Sequence, residues 1–369
     1  MSAAFTGIKI LDFTQVLAGP FAVMQLALLG AEVIKIEQPI TGDQTRGLMN
    51  EGEDVSMSPS FMGVNLNKQS MTLNLKDAEA VKIIKLLLKT TDVIVENFKA
   101  GTMERLGLDY TTLQLIKPDL IYCSVTGYGQ TGAKSSEAAY DGAIQASSGM
   151  MSQNGHPSTG PTRTGYMPVD MSTGLNTAFA IAAALYRKAT TGAGQRIDVA
   201  MMDTAIVMQA AQFSNYLNQG SLIGLRGNAS PTGQPSANVF PTADGHIQIT
   251  ALRQPQVEKL FTELGIIELL QQSKFSTPDA RMKHPDEIHL AMCDALSHKT
   301  TKVWLAQLAA VGVPVAEIRE LSEVYGDPQF EGRNAFFTLP SPTKPDEEIT
   351  VAGAGYVTDA DGPQLKSGP

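Results

Sequence analysis

The chain has 369 residues, 43% of them hydrophobic, so it can bury one large core or two moderate ones. Its 28 Lys and Arg against 37 Asp and Glu give a net charge of -9, which argues against a nucleic-acid-binding surface. Cys123 and Cys293 are the two cysteines, too few for a disulfide framework or a Cys-based zinc site, and they suggest a reducing compartment. Because we find neither a signal-peptide pattern nor a run of membrane-spanning length, we expect a cytoplasmic protein that has no membrane partner.

The first part of the chain alternates short β-rich runs with helical runs. We predict strands and helices, in chain order, over 8–13 (strand), 21–29 (helix), 33–37 (strand), 71–75 (strand), 78–89 (helix), 93–95 (strand) and 120–125 (strand). Such alternation is typical of a parallel sheet flanked by helices. Since ligands of these sheets bind beyond the carboxyl ends of the strands, the exit loops 14–20, 96–99 and 126–129 are candidate binding loops.

The later part of the chain predicts a second, smaller domain. The further predicted elements are the alanine-rich helix 175–186, strand 195–200, helix 202–216, strand 245–250, helices 257–264, 285–296 and 303–311, and strand 348–351. Residues 220–241 are rich in Gly, Pro, Ser and Asn, which predicts a linker or substrate loop. We therefore expect a large α/β domain over 1–219, a small α+β domain over 242–325, and a tail, 326–369, that returns to the large domain.

Asp170 is the most informative residue, because it lies just before the long predicted helix 175–186. Near the positive end of a helix a carboxylate should stay ionised. An ionised, partly desolvated aspartate can attack an activated acyl group and hold it as a mixed anhydride. Asp is also a favoured N-cap residue, so the residue pattern alone leaves both roles open.

Other chemistries have no fingerprint in this chain. The Gly127-Tyr128-Gly129 turn lacks the third glycine of the dinucleotide-binding motif, and the loop 14–20 has only one glycine. Neither a Walker motif nor a Gly-x-Ser-x-Gly elbow occurs. The five histidines show no metal-ligand spacing, so we expect neither a metal nor a permanently bound cofactor.

Several motifs in order carry a resemblance to a known family. They are Gly7-Ile8-Lys9-Ile10-Leu11-Asp12-Phe13, Val16-Leu17-Ala18-Gly19-Pro20, the segment from Leu29 to Glu37, Asn67-Lys68, the run from Asp92 to Phe98, and Gly127-Tyr128-Gly129. Together they resemble the class III CoA-transferases, also called the CaiB/BaiF family. The likeness runs over nearly the whole chain. It implies a Rossmann-like parallel sheet in a large domain, a smaller α+β domain, and a homodimer of interlocked chains.

The resemblance implies a mechanism and a set of site residues. In that family one aspartate accepts the acyl group, and the matching residue is Asp170. CoA would pass from an acyl-CoA to a small carboxylic acid through an aspartyl mixed anhydride and an aspartyl-CoA thioester, so CoA is a substrate. The family's CoA-binding positions match Val16, Leu17, Gln38, Leu73, Lys76, Asn97, Phe98, Arg105, Ala138, Tyr140 and Asp141.

Two features of this chain depart from its formyl-CoA transferase relatives. Those enzymes carry an arginine at the position of Gln38 and a lysine at that of Ala138, so this chain lacks two of their cations. The candidate lid is the loop 227–234, in which Gly233 and Gln234 retain the glycine-rich character of the related loop.

Two other functions remain open. An α-methylacyl-CoA racemase shares the fold, but it pairs its aspartate with a histidine where this chain has Tyr140. A proton shuttle at neutral pH needs a group with a pKa near 7, which tyrosine lacks, so the transferase is favoured. The third hypothesis is a non-catalytic acyl-CoA-binding protein, which retention of Asp170 argues against. The sequence does not discriminate between oxalate, succinate, mesaconate and larger acids as substrate.

Overall fold

A computed structural model describes residues 3–48, 57–330, 332–333, 335–341, 344 and 346–369, which include every predicted site residue. The chain forms two compact units. One comprises Met1–Met150, Thr164–Ser214 and Pro328–Pro369, and the other comprises Met151–Arg163 and Asn215–Asp327. The functional domains that the sequence predicts, with their limits and roles, stay a prediction.

The described residues contain short strands and a larger share of helix. The strands are β1 Lys9–Asp12, β2 Glu32–Glu37, β3 Lys68–Thr72, β4 Val93–Glu96, β5 Ile121–Thr126, β6 Gly155–His156, β7 Gly160–Pro161, β8 Gln195–Ala200, β9 Ala237–Pro241, β10 His246–Thr250, β11 Val315–Glu317, β12 Phe336–Pro340 and β13 Glu348–Ala352. The α-helices are α1 Ala18–Leu28, α2 Pro59–Met62, α3 Ala78–Leu88, α4 Thr102–Arg105, α5 Tyr110–Leu113, α6 Asp141–Ser147, α7 Pro168–Thr191, α8 Met201–Met208, α9 Ala210–Gln219, α10 Gln254–Glu263, α11 Pro278–Met282, α12 Pro285–Leu296, α13 Thr301–Ala310 and α14 Leu321–Val324.

The larger unit is built on a six-stranded parallel sheet flanked by helices, which confirms this part of the predicted fold class. Its strand order is β3-β2-β1-β4-β5-β8. The chain winds outward from β1 to β3 and then returns to the centre as β4, so the winding reverses between β1 and β4. At such a switch point the loops that leave the two central strands diverge, and the crevice between them is where ligands of these sheets bind.

Each central strand contributes to two cores, because successive side chains point to opposite faces of the sheet. Val95 and Val125 pack in the core that contains Ile181 of α7 and residues of α1. Ile94 and Tyr122 pack on the other face, with residues of α3 and α5. The sheet is therefore covered on both faces, as its run of apolar strand residues requires.

Two predicted elements differ from the observed ones. The strand predicted at 71–75 is β3, Lys68–Thr72, because Lys68 is buried in an ion pair with Asp12, 2.8 Å away, and such a residue hides a strand from hydrophobic patterns. The helix predicted at 202–216 is two helices, α8 and α9. They part at Gln209, whose side chain donates hydrogen bonds to the carbonyls of Ser148 and Ala205.

The smaller unit has an antiparallel sheet, β11-β10-β9, which agrees with the predicted α+β composition. Its core combines Phe240 and Ile249 of the sheet with Met292 of α12 and Trp304 of α13. The loop predicted over 220–241 thus ends in a strand, β9, that pairs with β10. In the part of the chain that the structure describes, no helix has the length and apolar character needed to span a bilayer.

Helices α1 and α7 approach closely at Gly174. A Cβ atom built on Gly174 would lie 2.8 Å from the main-chain oxygen of Ala18 and 2.8 Å from the ring of Phe21. Only a residue without a side chain fits this crossing. The contact joins the helix that begins beside the exit loop of β1 to the helix that carries Asp170.

We expect Gly174→Val to lower the free energy of unfolding by about 1–3 kcal/mol, since its added carbons would overlap α1. The matched control is Ala189→Val, at an exposed position near the end of the same helix. It carries the same β-branched cost but should shift stability by only about 0.5 kcal/mol. Urea unfolding of both variants measures the difference. Equal losses would contradict the close crossing.

Candidate active site

A cavity of about 320 Å³ opens beyond the carboxyl ends of the central strands in the larger unit. The exit loops of β1, β4 and β5, the segment before α6 and the start of α7 line it. Seven of the predicted site residues lie along this cavity: Val16, Leu17, Asn97, Phe98, Ala138, Tyr140 and Asp170. The fold thus brings together residues that are up to about 150 positions apart in the sequence.

Asp170 lies within the first turn of α7 and does not cap it. The helix begins at Pro168, a residue that suits a first helical position, and the N-cap residue Met167 makes no side-chain capping bond. The helix predicted from residue 175 therefore starts earlier than the apolar pattern indicates. The capping role that the sequence left open for Asp170 is wrong.

The cap of α7 comes from Asp141, the first residue of α6. One oxygen of its carboxylate accepts hydrogen bonds from the main-chain N–H groups of Val169, at 2.8 Å, and Asp170, at 3.0 Å. Its other oxygen accepts a bond from Gln145, at 2.5 Å. The sequence prediction for Asp141 was a CoA contact, and local patterns could not show the cap because the two partners are far apart along the chain.

The pKa of the Asp170 carboxyl is raised to about 7, first by burial and second by the negative charge of Asp141. Only 9% of the Asp170 surface is exposed. Across the described residues, no side chain donates a hydrogen bond that would hold the pKa down. We expected the helix end to keep Asp170 ionised, but burial and Asp141 raise the pKa of this carboxyl instead, so it is partly protonated near pH 7.

The exit loops of β1 and β4 are joined across the switch point. The side chain of Asn97 accepts a hydrogen bond from the main-chain N–H of Gln15, at 2.9 Å, and donates one to its carbonyl, at 2.7 Å. The next residue, Val16, has a φ of 73°, a left-handed conformation that is rare for a β-branched residue. Both Val16 and Asn97 line the cavity beside Asp170.

The remaining predicted CoA contacts lie outside the 320 Å³ cavity. Gln38 lines a separate hollow of about 500 Å³ that follows β2. Leu73 packs at the edge of the core under α3, and Lys76 is exposed just after β3. Arg105 is also exposed and donates a hydrogen bond to Thr102, at 3.0 Å. Gln38, Leu73 and Lys76 follow the carboxyl ends of β2 and β3, and Arg105 is the last residue of α4, the helix after the exit loop of β4.

Gly233 and Gln234 of the predicted lid belong to the smaller unit. Gly233 has a φ of 78°, which favours glycine, and Gln234 is buried with its amide near the carbonyl of Pro278, at 3.4 Å. Their role as a lid stays a prediction.

Two further residues line the cavity: Lys99, which the sequence analysis included only as the end of the candidate binding loop 96–99, and Glu137, which it did not single out. The signal for Lys99 was present, because it ends the exit loop of β4. Glu96, at the end of β4, is a second carboxyl group with a raised pKa: burial raises it to about 7, as it does for Asp170. Within the described ranges, no group of three or more His, Cys, Asp or Glu residues is arranged to hold a metal ion.

Comparison with known proteins identifies the family of this chain. The model of CoA-transferase family III matches residues 5–368. The succinyl-CoA:glutarate CoA-transferase of Homo sapiens is 37% identical over 339 residues, which cover 91% of this chain and 76% of that protein. The succinate–glutarate CoA-transferase of Agrobacterium fabrum is 35% identical over 334 residues, which cover 89% of this chain and 83% of that protein.

A solved structure shows the same fold. The crystal structure of a CaiB/BaiF family protein from Brucella suis superimposes with a TM-score of 0.88 and 33% identity, covering 100% of this chain and 96% of that one. The match includes the parallel sheet and the segments that form the cavity, since it spans the whole chain. The protein belongs to CoA-transferase family III.

Proposed function

We propose that this protein moves CoA from an acyl-CoA thioester to a free carboxylic acid, with Asp170 as the acyl acceptor. The observation that carries the proposal is the buried carboxyl of Asp170, which lines the switch-point cavity and accepts no side-chain hydrogen bond from the residues that the structure describes. Membership of CoA-transferase family III supports CoA transfer as the reaction.

The proposed chemistry needs one carboxylate and no net proton transfer. The ionised Asp170 attacks the thioester carbonyl carbon, the C–S bond breaks, and CoA leaves as a thiolate while a mixed anhydride forms. The thiolate attacks the aspartyl carbon of the anhydride, so the donor acid leaves as a carboxylate and an aspartyl-CoA thioester remains. The acceptor carboxylate then attacks that thioester, and the same steps in reverse release the new acyl-CoA and restore Asp170.

The environment of Asp170 suits this role. A carboxylate that burial has stripped of water is more basic and less shielded than one in solution, so it is a better nucleophile once ionised. Every intermediate is hydrolysable, and a buried position limits the access of water. The acyl-CoA would extend from the cavity towards the exposed cations Lys76 and Arg105, which can meet phosphate oxygens.

We expect Asp170→Asn to lower CoA transfer by about 1,000-fold or more, because a carboxamide does not attack a thioester. Wild type incubated with succinyl-CoA and then hydroxylamine should carry a hydroxamate on the peptide that contains Asp170, as mass spectrometry would show. Asp203→Asn is the matched control, since Asp203 is an exposed acid in the first turn of the neighbouring helix α8. Labelling of a different residue would rule out Asp170 as the acceptor.

One observation favours the racemase as a second candidate. A carboxyl with a pKa of about 7 is suited to proton transfer, as an α-proton shuttle requires. The partner position holds Tyr140, which is 65% exposed. Incubation of a chiral 2-methylacyl-CoA in deuterated water without an acceptor acid separates the two functions. A transferase should leave the α-carbon unlabelled, whereas rapid deuterium uptake would favour the racemase.

The raised pKa predicts how stability depends on pH. Below about pH 4 the carboxyl of Asp170 is protonated in both the folded and the unfolded protein. Between about pH 4 and pH 7 it loses its proton in the unfolded chain but keeps it in the folded protein. The free energy of unfolding therefore falls as the pH rises through this range. Asp170→Asn removes this loss. The variant should gain on wild type by on the order of 1–4 kcal/mol between pH 4 and pH 8.

Thermal unfolding of wild type, Asp170→Asn and Asp203→Asn at pH 4, 6 and 8 tests this prediction. The gain should grow with pH for Asp170→Asn and stay flat for the exposed control. A gain that is the same at all three pH values would show that the pKa of Asp170 is not raised.

We propose that the protein is a homodimer, as the family resemblance implies. An apolar stripe runs along the exposed face of α7: Leu175 is 52% exposed, and Phe179 and Tyr186 are each 74% exposed. Their spacing of four and seven residues places them on one side of the helix. Surfaces of this kind mark interfaces, and a second copy of the chain offers a matching apolar stripe.

Light scattering on wild type should give the mass of a dimer, and Phe179→Asp should shift the protein towards the monomer because it buries a charge in the contact. Leu115→Asp is the control, at a position that is 82% exposed elsewhere in the same unit. A monomeric wild type, or a dimer that both substitutions leave unchanged, would contradict the assignment of this stripe.

A further inference from the structure

The main chain of the turn after β1 is held in place by hydrogen bonds from side chains. The main-chain N–H of Thr14 donates to the carboxylate of Asp12, at 2.9 Å. The carbonyl of Thr14 accepts a hydrogen bond from the ammonium of Lys35, at 2.6 Å. Both Asp12 and Lys35 are fully buried, so the N–H and the carbonyl of Thr14 are each bound by a buried side chain.

The next two residues of the turn are held in the same way. Asn97 bonds both the N–H and the carbonyl of Gln15. The N–H of Val16 donates to the carboxylate of Asp43, at 3.2 Å. Five consecutive polar groups of the main chain, from the N–H of Thr14 to the N–H of Val16, are therefore bound by side chains.

These side chains are themselves held rigidly. The ammonium of Lys35 pairs with Asp43 at 2.9 Å, and their side chains are 1% and 0% exposed. Asp43 also accepts hydrogen bonds from the N–H and hydroxyl of Thr45, at 2.9 and 2.8 Å. Asn97 follows β4, on the other side of the switch point from Lys35 of β2. The turn is therefore hydrogen-bonded to residues from both halves of the sheet.

These hydrogen bonds surround a residue with a strained main-chain conformation. Val16 has a φ of 73°, where its branched Cβ crowds the main chain, and such a conformation persists only where the surroundings over-determine it. Non-glycine residues in this region cluster at active sites. The partners bound to Gln15 and Val16 supply the constraint here.

The strained turn leads directly into the part of the cavity beside Asp170. Val16, Leu17 and Ala18 line the cavity, and α1 begins at Ala18. The first N–H groups of a helix have no acceptor within the helix, so their direction depends on how the chain enters it. The entry is tight, because a Cβ atom on Gly19 would lie 2.5 Å from the side chain of Thr14.

We infer that Asn97 is a positioning residue for the transfer reaction, which holds Gln15 so that Val16 stays left-handed and the start of α1 keeps its place beside Asp170. The inference rests on the proposed function and deepens it. An asparagine suits this role because its amide has one acceptor and one donor end, and Gln15 uses both. The role differs from a direct contact with CoA, which would act on affinity.

Steady-state kinetics of N97A, V16G and the V16G/N97A double variant test the inference, with the affinity for CoA measured by calorimetry. N97A should lower kcat by about 10- to 100-fold, the cost of a misplacement near 1 Å, while the Kd for CoA changes less than about 3-fold. In the V16G background the same substitution should lower kcat by less than about 5-fold, since glycine adopts the left-handed conformation without strain. The turn then keeps its shape without the amide.

Two further variants control for a general loss of stability and for failure of N97A to fold. Gln209→Ala is the matched control, because the amide of Gln209 is also buried and also bonds main-chain carbonyls of the same unit, away from the cavity. It should lower Tm and leave kcat unchanged. Asn97→Asp keeps the shape and the acceptor but loses the donor, so it carries the same comparison in both backgrounds if N97A does not fold.

The outcomes separate the inference from the function beneath it. If N97A raises the Kd for CoA and leaves saturated kcat as in wild type, Asn97 contacts the ligand and the inference is wrong. Equal losses of kcat in the Val16 and V16G backgrounds would also overturn it, with the proposed function intact. If wild type transfers no CoA to any acid, the proposed function and the inference fall together.

Discussion

The ion pair between Lys35 and Asp43 is the interaction on which the carboxyl end of the sheet depends. Burial of each ion costs several kcal/mol, and only close pairing with further hydrogen bonds offsets that cost. Lys35 meets the requirement with a carboxylate at 2.9 Å and the carbonyl of Thr14 at 2.6 Å. A second buried pair, Lys68 with Asp12, lies at 2.8 Å, and burial lowers the pKa of that lysine to about 8 in spite of its partner. Lys35, Asp43, Lys68 and Asp12 are all paired only when the loops at the carboxyl end of the sheet take this arrangement.

At the start of α7, the carboxylate of Asp141 both caps the helix and raises the pKa of its neighbour Asp170. Asp141 satisfies two N–H groups that the helix itself leaves unpaired, and its charge helps to raise the pKa of Asp170. The helix end favours an ionised Asp170 by about 0.3–1 kcal/mol, up to about 2 in partly buried sites. The shift from 3.8 to about 7 is equivalent to roughly 4 kcal/mol in the opposite direction. Burial and the like charge therefore outweigh the helix, and the site holds a basic carboxylate.

Sequence patterns located the elements wherever local composition decides the structure. The strand predicted at 195–200 and the helix predicted at 285–296 have the bounds of β8 and α12, since each has turn residues or proline at its start. The patterns failed where a polar residue is buried through a distant partner. β3 starts at Lys68 because Asp12 pairs with it, and α7 starts at Pro168 because Asp141 caps it. No local window contains both members of such a pair.

The sequence by itself determined the parallel α/β fold, the family resemblance and Asp170 as the candidate nucleophile, because ordered motifs and alternating apolar runs carry that information locally. Only the tertiary structure decided the acidity of Asp170, the cap at Asp141 and the grip of Asn97 on the exit turn of β1. A pKa depends on burial and on charges nearby in space, and a side-chain clamp depends on where two loops meet. Both are properties of distances between residues far apart in the chain, which exist only once the sheet has formed.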